Sequence, residues 1–282
     1  SSINRDRSCA LSHGTWRRVG AKLACAGACA LMVGQLLLPS VALAAKWVNV
    51  GGTQYNKGAG DEAGTWSWDG ADDMKLNGYD GAGISAQGNL NIGVTGTNTV
   101  TADSLQSAIE VKDGNLAITG EGTLNATAEP QKSRSAVKVE CGSLAISGDV
   151  TLNATAGTDT IAVSGDGKTG GDVDIRGANV NVTATNKVPH TIGIHTRAGN
   201  ITINEGADVH VEAEANGGFG AVAVYAENIS SEHGGCIAVD NAKLDAAARN
   251  ANMLSVALYS FGGKDTYLSI TNGADVTLVA SD

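Results

Sequence analysis

The chain has few aromatic residues, few prolines and few cysteines. It therefore lacks the residues for an aromatic core, for frequent helix breaks and for a disulfide framework. Its 282 residues include 2 phenylalanines, 3 prolines and 5 cysteines, and aromatic residues make up 4%. Small aliphatic side chains must therefore fill any core. Beyond residue 45 no stretch has a convincing helical spacing of apolar residues, which argues against a helical fold. Glycine is plentiful instead, with 38 residues, and this indicates many tight turns.

Positive charge is also scarce. The chain has 19 basic and 29 acidic residues, a net charge of −10. Five of the basic residues and one of the acidic ones lie in residues 1–45, so the rest of the chain has 14 basic and 28 acidic residues, a net charge of −14. Such an acidic surface argues against nucleic acid and against anionic lipid as partners, since both repel negative charge.

Residues 1–45 have the pattern of a secretory signal peptide with an N-terminal extension. Arg17, Arg18 and Lys22 precede an apolar run over residues 23–38, and Ala42-Leu-Ala44 is a small-residue cleavage site. A transmembrane anchor is the alternative, but the run is short for one and contains glycine and glutamine. We therefore expect export to the extracellular space or the cell wall surface, with no membrane span in the mature chain.

Three short phrases recur along the rest of the chain, and each alternates apolar and polar residues as a half-buried strand does. The first apolar residues of successive copies of one phrase are 26, 28, 29, 28, 36 and 31 residues apart. The copies of this phrase begin at Leu90, Leu116, Leu144, Val173, Ile201, Ile237 and Leu268. The second phrase is typified by Leu124-Asn-Ala-Thr-Ala and the third by Ile109-Glu-Val. A repeat of this length indicates a solenoid whose turns bury apolar faces against one another.

The repeat predicts an all-β chain, a right-handed parallel β-helix of about seven coils with three short strands each. Right-handedness is the strong default for connections between parallel strands. We expect an N-terminal cap over residues 46–73 and the β-helix over residues 74–282. The chain stops at Asp282 just after a strand, so we expect a truncated C-terminal end and a parent that continues. Cys141 and Cys236 lie three coils apart, roughly 14 Å at the usual strand spacing, which predicts free thiols.

One segment resembles a known family. Residues 66–81 read WSWDGADDMKLNGYDG, and Gly120-Glu-Gly-Thr-Leu follows later. These phrases resemble the first coils of the β-helical, carbohydrate-binding domain-containing surface proteins of gut Gram-positive bacteria, although Met74 and Ala82 depart from that pattern. The resemblance extends over residues 46–282. It implies a pectin-lyase-like right-handed parallel β-helix at a cell surface, with carbohydrate as ligand.

Two groups of residues are candidates for carbohydrate binding. Asn125, Asn153 and Asn181 occupy the same outward position on three successive strands, beside a row of threonines. Such rows suit hydrogen bonds to a hydroxyl-rich polymer, but they also suit an amide ladder that stabilises stacked strands. The aromatic candidates Trp66, Trp68 and Tyr79 lie together near the N-terminus with Trp47. They would stack on sugar rings or seal the end of the first coil.

Two other groups are weaker candidates. Asp172, Asp174 and Arg176 share one strand, and paired carboxylates could serve glycoside hydrolysis or bind Ca²⁺. The corresponding positions of the flanking coils supply no acidic or basic partner, so we interpret the three as surface charge. His190, His195 and His210 lack metal-ligand spacing and are expected to be exposed. The sequence therefore predicts no catalytic residue, no metal site and no cofactor.

These observations favour a secreted or cell-surface, carbohydrate-binding and adhesin-like β-helix without catalytic activity. Its partner would be a polysaccharide or a host or microbial glycan. Two alternatives stay open. The first is a polysaccharide lyase or glycoside hydrolase on a pectate-lyase-like β-helix. The second is a structural stalk for a domain that lies beyond residue 282.

Overall fold

The computed structural model describes residues 44–102, 107–129, 134–166, 171–186, 190–228, 235–262 and 265–282. Within these ranges the chain is all-β and contains no helix. Consequently, the described part has no helix of the length and hydropathy that a membrane crossing needs. Residues 1–43, which make up most of the predicted signal peptide, lie outside the described residues, so the signal peptide stays a prediction.

The strands are short, mostly of three to eight residues, and follow one another closely. Their bounds are β1 (Trp47–Val50), β2 (Thr53–Tyr55), β3 (Ala59–Gly60), β4 (Trp66–Trp68), β5 (Asp73–Asn77), β6 (Asp80–Ala82), β7 (Ile84–Gln87), β8 (Leu90–Thr95), β9 (Thr97–Thr101), β10 (Ile109–Lys112), β11 (Leu116–Gly120), β12 (Thr123–Thr127), β13 (Val137–Glu140), β14 (Leu144–Ser147), β15 (Thr151–Ala156), β16 (Asp159–Ser164), β17 (Val173–Arg176), β18 (Asn179–Thr185), β19 (His190–Thr196), β20 (Ile201–Asn204), β21 (Asp208–Glu214), β22 (Gly220–Glu227), β23 (Ile237–Asp240), β24 (Lys243–Arg249), β25 (Leu254–Phe261), β26 (Leu268–Thr271) and β27 (Asp275–Ser281).

The strands form three long sheets, and from β5 onward every third strand joins the same sheet. Sheet 1 has the order β2-β1-β7-β10-β13-β16-β19-β22-β25, sheet 2 has the order β26-β23-β20-β17-β14-β11-β8-β5-β4-β3, and sheet 3 has the order β27-β24-β21-β18-β15-β12-β9-β6. All pairs among β5–β27 are parallel, whereas β1–β4 pair antiparallel at the N-terminal end. This confirms the predicted all-β class with stacked parallel sheets.

The register of the sheets follows the sequence repeat. Leu116 lies between Leu90 and Leu144 in sheet 2, and all three side chains are buried in the core. Leu124 pairs with Leu152 in sheet 3 in the same way. Each buried leucine contributes roughly 1.5–3 kcal/mol to the free energy of folding, so a row of such residues holds the stacked strands together.

The turn that precedes each sheet 2 strand also has a repeated structure. A Cβ on Gly142 would lie 1.9 Å from the carbonyl oxygen of Gly114, so only glycine allows the two turns to approach this closely. In each copy, the residue that follows this glycine has a side-chain oxygen, and this oxygen accepts the backbone N–H of the corresponding residue one turn later. We call this series the turn ladder; its acceptors include Asn89, Asn115, Ser143, Asp172 and Asn200.

One part of the predicted inward pattern is wrong. The alternation predicts that Ile192 and Val222 point into the core with Ile194 and Val224, but Ile192 and Val222 lie outside the core cluster. Gly193 takes the inward position instead, because a Cβ there would meet the Val211 side chain at 2.3 Å. Two consecutive residues therefore face inward in these strands, and the residue before them faces outward.

The cysteine prediction is correct at one position and wrong at the other. Cys236 is buried and forms no disulfide, and its thiol donates to the Asp265 carbonyl oxygen at 3.3 Å. Cys141 is disulfide-bonded, so the expectation of a free thiol there is wrong. The roughly 14 Å expected between Cys141 and Cys236 excludes a disulfide between those two residues alone.

Candidate functional site

The outer face of sheet 3 carries an array of short, uncharged polar side chains. The residues between them, such as Leu124 and Ala126, are buried, so the intervening threonines and asparagines point outward. Strand pairing places them in straight columns across β9, β12, β15 and β18. We call this array the Thr/Asn face; it consists of Thr97, Thr99, Thr101, Thr123, Asn125, Thr127, Thr151, Asn153, Thr155, Asn179, Asn181 and Thr183.

The three predicted asparagines form a side-chain ladder within this face. Asn153 Nδ2 donates to Asn125 Oδ1 at 2.8 Å, and Asn181 Nδ2 donates to Asn153 Oδ1 at 2.9 Å. The amide ladder that the sequence offered as one of two interpretations is therefore present. Each amide nitrogen still has a second hydrogen, and each oxygen a second lone pair. The ladder fixes the side chains in place and leaves them able to bond outward.

The size of the Thr/Asn face follows from strand geometry. Four strands about 4.8 Å apart span roughly 14 Å, and the five residues of each strand from the first column to the third span roughly 13 Å. The asparagines and threonines are half-buried on β12 and β15 and exposed on β18. The face is thus a flat surface of hydroxyl and amide groups, with the threonine methyl groups between them.

The Thr/Asn face ends where charged residues begin, at β21. Asn181 pairs with His210 in the next strand, and beyond it Lys243 lies 3.5 Å from Asp208 and 3.0 Å from Asp245. The Asp245 carboxylate and the Asp208 charge raise the pKa of Lys243 above its ordinary value. In sheet 3 the Thr/Asn face therefore lies between Asp80 on β6, which pairs with Thr99, and a region of ion pairs that begins at β21.

The aromatic candidates are buried. Trp66, Trp68 and Tyr79 are 7%, 2% and 7% exposed, respectively. Trp68 Nε1 donates to the Ala71 carbonyl oxygen at 2.9 Å, and Tyr79 Oη donates to the Ala82 carbonyl oxygen at 2.7 Å. The rings close the N-terminal end of the core and have no face open to a sugar. Their burial favours the capping role that the sequence also suggested.

Asp174 and Arg176 lie on β17, whereas Asp172 lies in the turn before it, so the expectation that all three share one strand is wrong. All three have internal partners. Asp172 belongs to the turn ladder, because its Oδ1 accepts the Asn200 N–H at 2.8 Å. Burial raises the pKa of Asp172, and the nearby Asp174 charge adds to this effect. Arg176 Nε donates to Asp174 Oδ2 at 2.6 Å, and this carboxylate is 7% exposed. None of the three is arranged as an open pair of carboxylates.

Sequence reasoning missed a cluster of charged residues on the outer face of sheet 1. We call it the His195 cluster. The His195 ring lies between two carboxylates, with Nδ1 3.4 Å from Asp159 Oδ2 and Nε2 3.4 Å from Glu227 Oε1. Only 4% of His195 is exposed, so the expectation that it is exposed is wrong, whereas His190 and His210 are exposed.

Aromatic rings continue the His195 cluster along sheet 1. Tyr225 stacks on His195 with 4.7 Å between ring centroids, and Tyr259 stacks on Tyr225 at 4.9 Å. The pairing of β19 with β22 and of β22 with β25 produces this column. Because the rings cover one another's faces, they present mainly edges to solvent. The sequence indicates this column in one way: His195, Tyr225 and Tyr259 each follow a copy of the third phrase directly, at the same position.

The described ranges contain no group of three or more His, Cys, Asp or Glu side chains that could hold a metal ion. In the His195 cluster, the carboxylates of Asp159 and Glu227 already contact His195, Arg197 and Tyr225. Among the described residues, the Thr/Asn face is an ordered array of polar side chains that is open to a ligand. No protein-family model, curated protein or solved structure matches this chain.

Proposed function

We propose that this chain is a secreted or cell-surface β-helix that binds a polysaccharide, a host or microbial glycan, through the Thr/Asn face. In this proposal the solenoid is right-handed, has about seven coils and is closed by an aromatic cap over residues 46–73. The observation that carries the proposal is the register of Asn125, Asn153 and Asn181 with their flanking threonines on a flat, uncharged surface.

The chemistry of the Thr/Asn face fits a hydroxyl-rich polymer. Hydroxyl and amide groups both donate and accept hydrogen bonds, as sugar hydroxyls do. The ladder orders the amides before a ligand arrives, so binding costs less side-chain entropy. Threonine methyl groups offer small apolar contacts for the C–H surfaces of a sugar. Many weak contacts repeated along one axis favour an extended polymer over a single sugar.

The Thr/Asn face contains no charged side chain, and this limits the class of polysaccharide that it can bind. An acidic polysaccharide would need basic side chains at the surface, and the chain as a whole is acidic, with a net charge of −10. On one side of the face, Asp208 and Lys243 pair with each other, and on the other side the exposed Asp80 adds negative charge. We therefore infer an uncharged polysaccharide as the ligand.

The test is binding of the full chain to a glycan array and to insoluble neutral polysaccharides. The triple variant Thr127→Val, Thr155→Val and Thr183→Val removes hydroxyls at nearly constant shape. Its matched control is Thr119→Val with Thr202→Val, on the outer face of sheet 2. We expect the triple variant to lose most binding and the control to keep it.

Equal binding by both variants would exclude the Thr/Asn face as the site. A folded wild-type sample that binds no glycan would contradict the proposal and favour the stalk interpretation. Preference for acidic polymers over neutral ones would contradict the inferred ligand class. The enzyme alternative has no support from the described carboxylates, because those of Asp174 and Glu227 are paired with other side chains.

A further inference from the structure

The His195 cluster joins three adjacent strands of sheet 1. Asp159 comes from β16, His195 from β19 and Glu227 from β22. The two ring nitrogens of His195 face one carboxylate each, at 3.4 Å on both sides. An ionic contact therefore runs across both strand boundaries on the outer face, in addition to the backbone hydrogen bonds of the sheet.

The neighbours of His195 hold this arrangement in place. Tyr225 on β22 stacks on the ring with 7° between the planes, and its hydroxyl donates to Glu227 Oε2 at 2.7 Å. Arg197, which directly follows β19, places Nη2 3.4 Å from Asp159 Oδ2. The charged or titratable groups that face His195 are thus Asp159, Arg197, Tyr225 and Glu227.

The protonation state of the His195 ring decides whether it can contact the Asp159 and Glu227 carboxylates at the same time. A protonated ring has two N–H donors, one for each carboxylate. A neutral ring has one N–H, so its second nitrogen becomes an acceptor whose lone pair faces the negative oxygen of Asp159 or Glu227. That lone pair repels the carboxylate oxygen, so the contact on this side is lost when the proton leaves. Only the protonated ring carries positive charge and an N–H on both sides; Nε2 lies at ion-pair distance from Glu227 without the geometry of a hydrogen bond.

We propose that the His195 cluster is a pH-dependent clamp that ties β16, β19 and β22 together when the ring is protonated and releases one strand boundary when the proton leaves. Asp159 keeps Arg197 as a partner after the proton leaves, whereas Glu227 keeps only the Tyr225 hydroxyl and Coulombic attraction from Arg197. The β19–β22 boundary is therefore the one that loosens. This inference is independent of glycan binding.

The direction of the pH effect follows from the environment of the ring. Burial by itself lowers the pKa of His195, but the Asp159 and Glu227 carboxylates outweigh burial and raise the pKa above its ordinary value. The His195 ring also lowers the pKa of Glu227. A histidine with a raised pKa in the folded state stabilises the fold fully below about pH 6.5. That contribution is lost as the pH rises through the folded pKa.

Hydrogen exchange of the full chain between pH 5.5 and 9 tests the clamp. After correction for the intrinsic exchange rate, we expect protection of peptides from β19 and β22 to fall several-fold as the pH rises. Peptides from β11 and β14 in sheet 2 should keep their protection. The variant His195→Gln should lose the pH dependence, and the control variant His210→Gln, on the outer face of sheet 3, should keep it.

Two results would overturn the proposal. One is a wild-type pH profile that is the same in sheet 1 and sheet 2, and the other is a pH dependence that persists in His195→Gln. If that variant does not fold, NMR titration of the His195 ring in the wild-type chain decides the question. A midpoint above about 6.5, the ordinary histidine value, supports the clamp, and a midpoint at or below it contradicts the clamp.

Discussion

The side-chain amide of Asn153 donates a 2.8 Å hydrogen bond to Oδ1 of Asn125 on the neighbouring strand, and its own oxygen accepts the amide of Asn181. Asn153→Ala removes both bonds at once. We expect the free energy of unfolding to fall by about 1–2 kcal/mol, because each net hydrogen bond contributes about 0.5–1.5 kcal/mol. Urea unfolding measures the change. The control is Asn179→Ala, at an exposed position of β18, and its change in the free energy of unfolding should be near zero. Equal losses in both variants would contradict a stabilising ladder.

Gly142 lies where two turns of the chain approach most closely. Gly142→Ala places a methyl group 1.9 Å from the Gly114 carbonyl oxygen. The backbone must shift, and we expect a loss of about 1–3 kcal/mol or more. Gly93→Ala is the matched control, because its Cβ would have only an ordinary contact at 3.7 Å, and it should stay within about 1 kcal/mol of zero. Thermal unfolding measures the stability of both variants. An unchanged stability of Gly142→Ala would contradict the close approach of the two turns.

Asp172 is an acid at a position where Asn115 and Asn200 make the same turn-ladder contact. Burial raises its pKa, so ionisation opposes folding as the pH rises from the unfolded to the folded pKa. Asp172→Asn keeps the acceptor oxygen and removes the charge. We expect the variant to be more stable than the wild type at pH 7, with the difference disappearing below the unfolded pKa of about 3.9. Urea unfolding at pH 3.5 and pH 7 checks the sign, and a destabilised variant at pH 7 would show that the charge is favourable.

Trp68 fills the N-terminal end of the core. Removing its buried ring in Trp68→Ala should cost about 3–5 kcal/mol, whereas Trp47→Ala, at a half-buried ring bonded to Gln87, should cost less. Denaturant unfolding gives both values, and glycan binding is measured on the folded fraction. A variant that keeps its stability and loses binding would move the binding site to the aromatic residues.

Much of the fold could be predicted from the sequence because the repeat fixes strand register. Once Leu116 and Leu144 are aligned, their neighbours align too, and the Asn125–Asn153 pairing follows. The choice between a ladder and a binding surface could not be made, because both need the same outward position. Exposure of Trp66 and Trp68 could not be predicted either. It depends on antiparallel strands β3 and β4, which lie outside the repeat.

The His195 cluster could not be predicted from alternation. Thr160 and Ile161 both face inward on β16, and Thr160 Oγ1 donates to the Thr183 carbonyl oxygen at 3.4 Å. That break in the period of two puts Asp159 on the outer face, where it reaches His195. A strict count of alternate residues assigns Asp159 to the core side, so the sequence offered no reason to place the two together.

The assignment of every third strand to the same sheet has a mechanical consequence. If the molecule is pulled from its two termini, the load falls on the terminal strands of the three sheets in succession, because each strand bonds only to its counterparts one turn away. Resistance is then local, and the chain yields one turn at a time. With about 28 residues between successive copies of a strand, each step lengthens the chain by roughly 95 Å. Such a molecule lengthens in a series of steps whose sizes follow the spacings of 26–36 residues between successive copies.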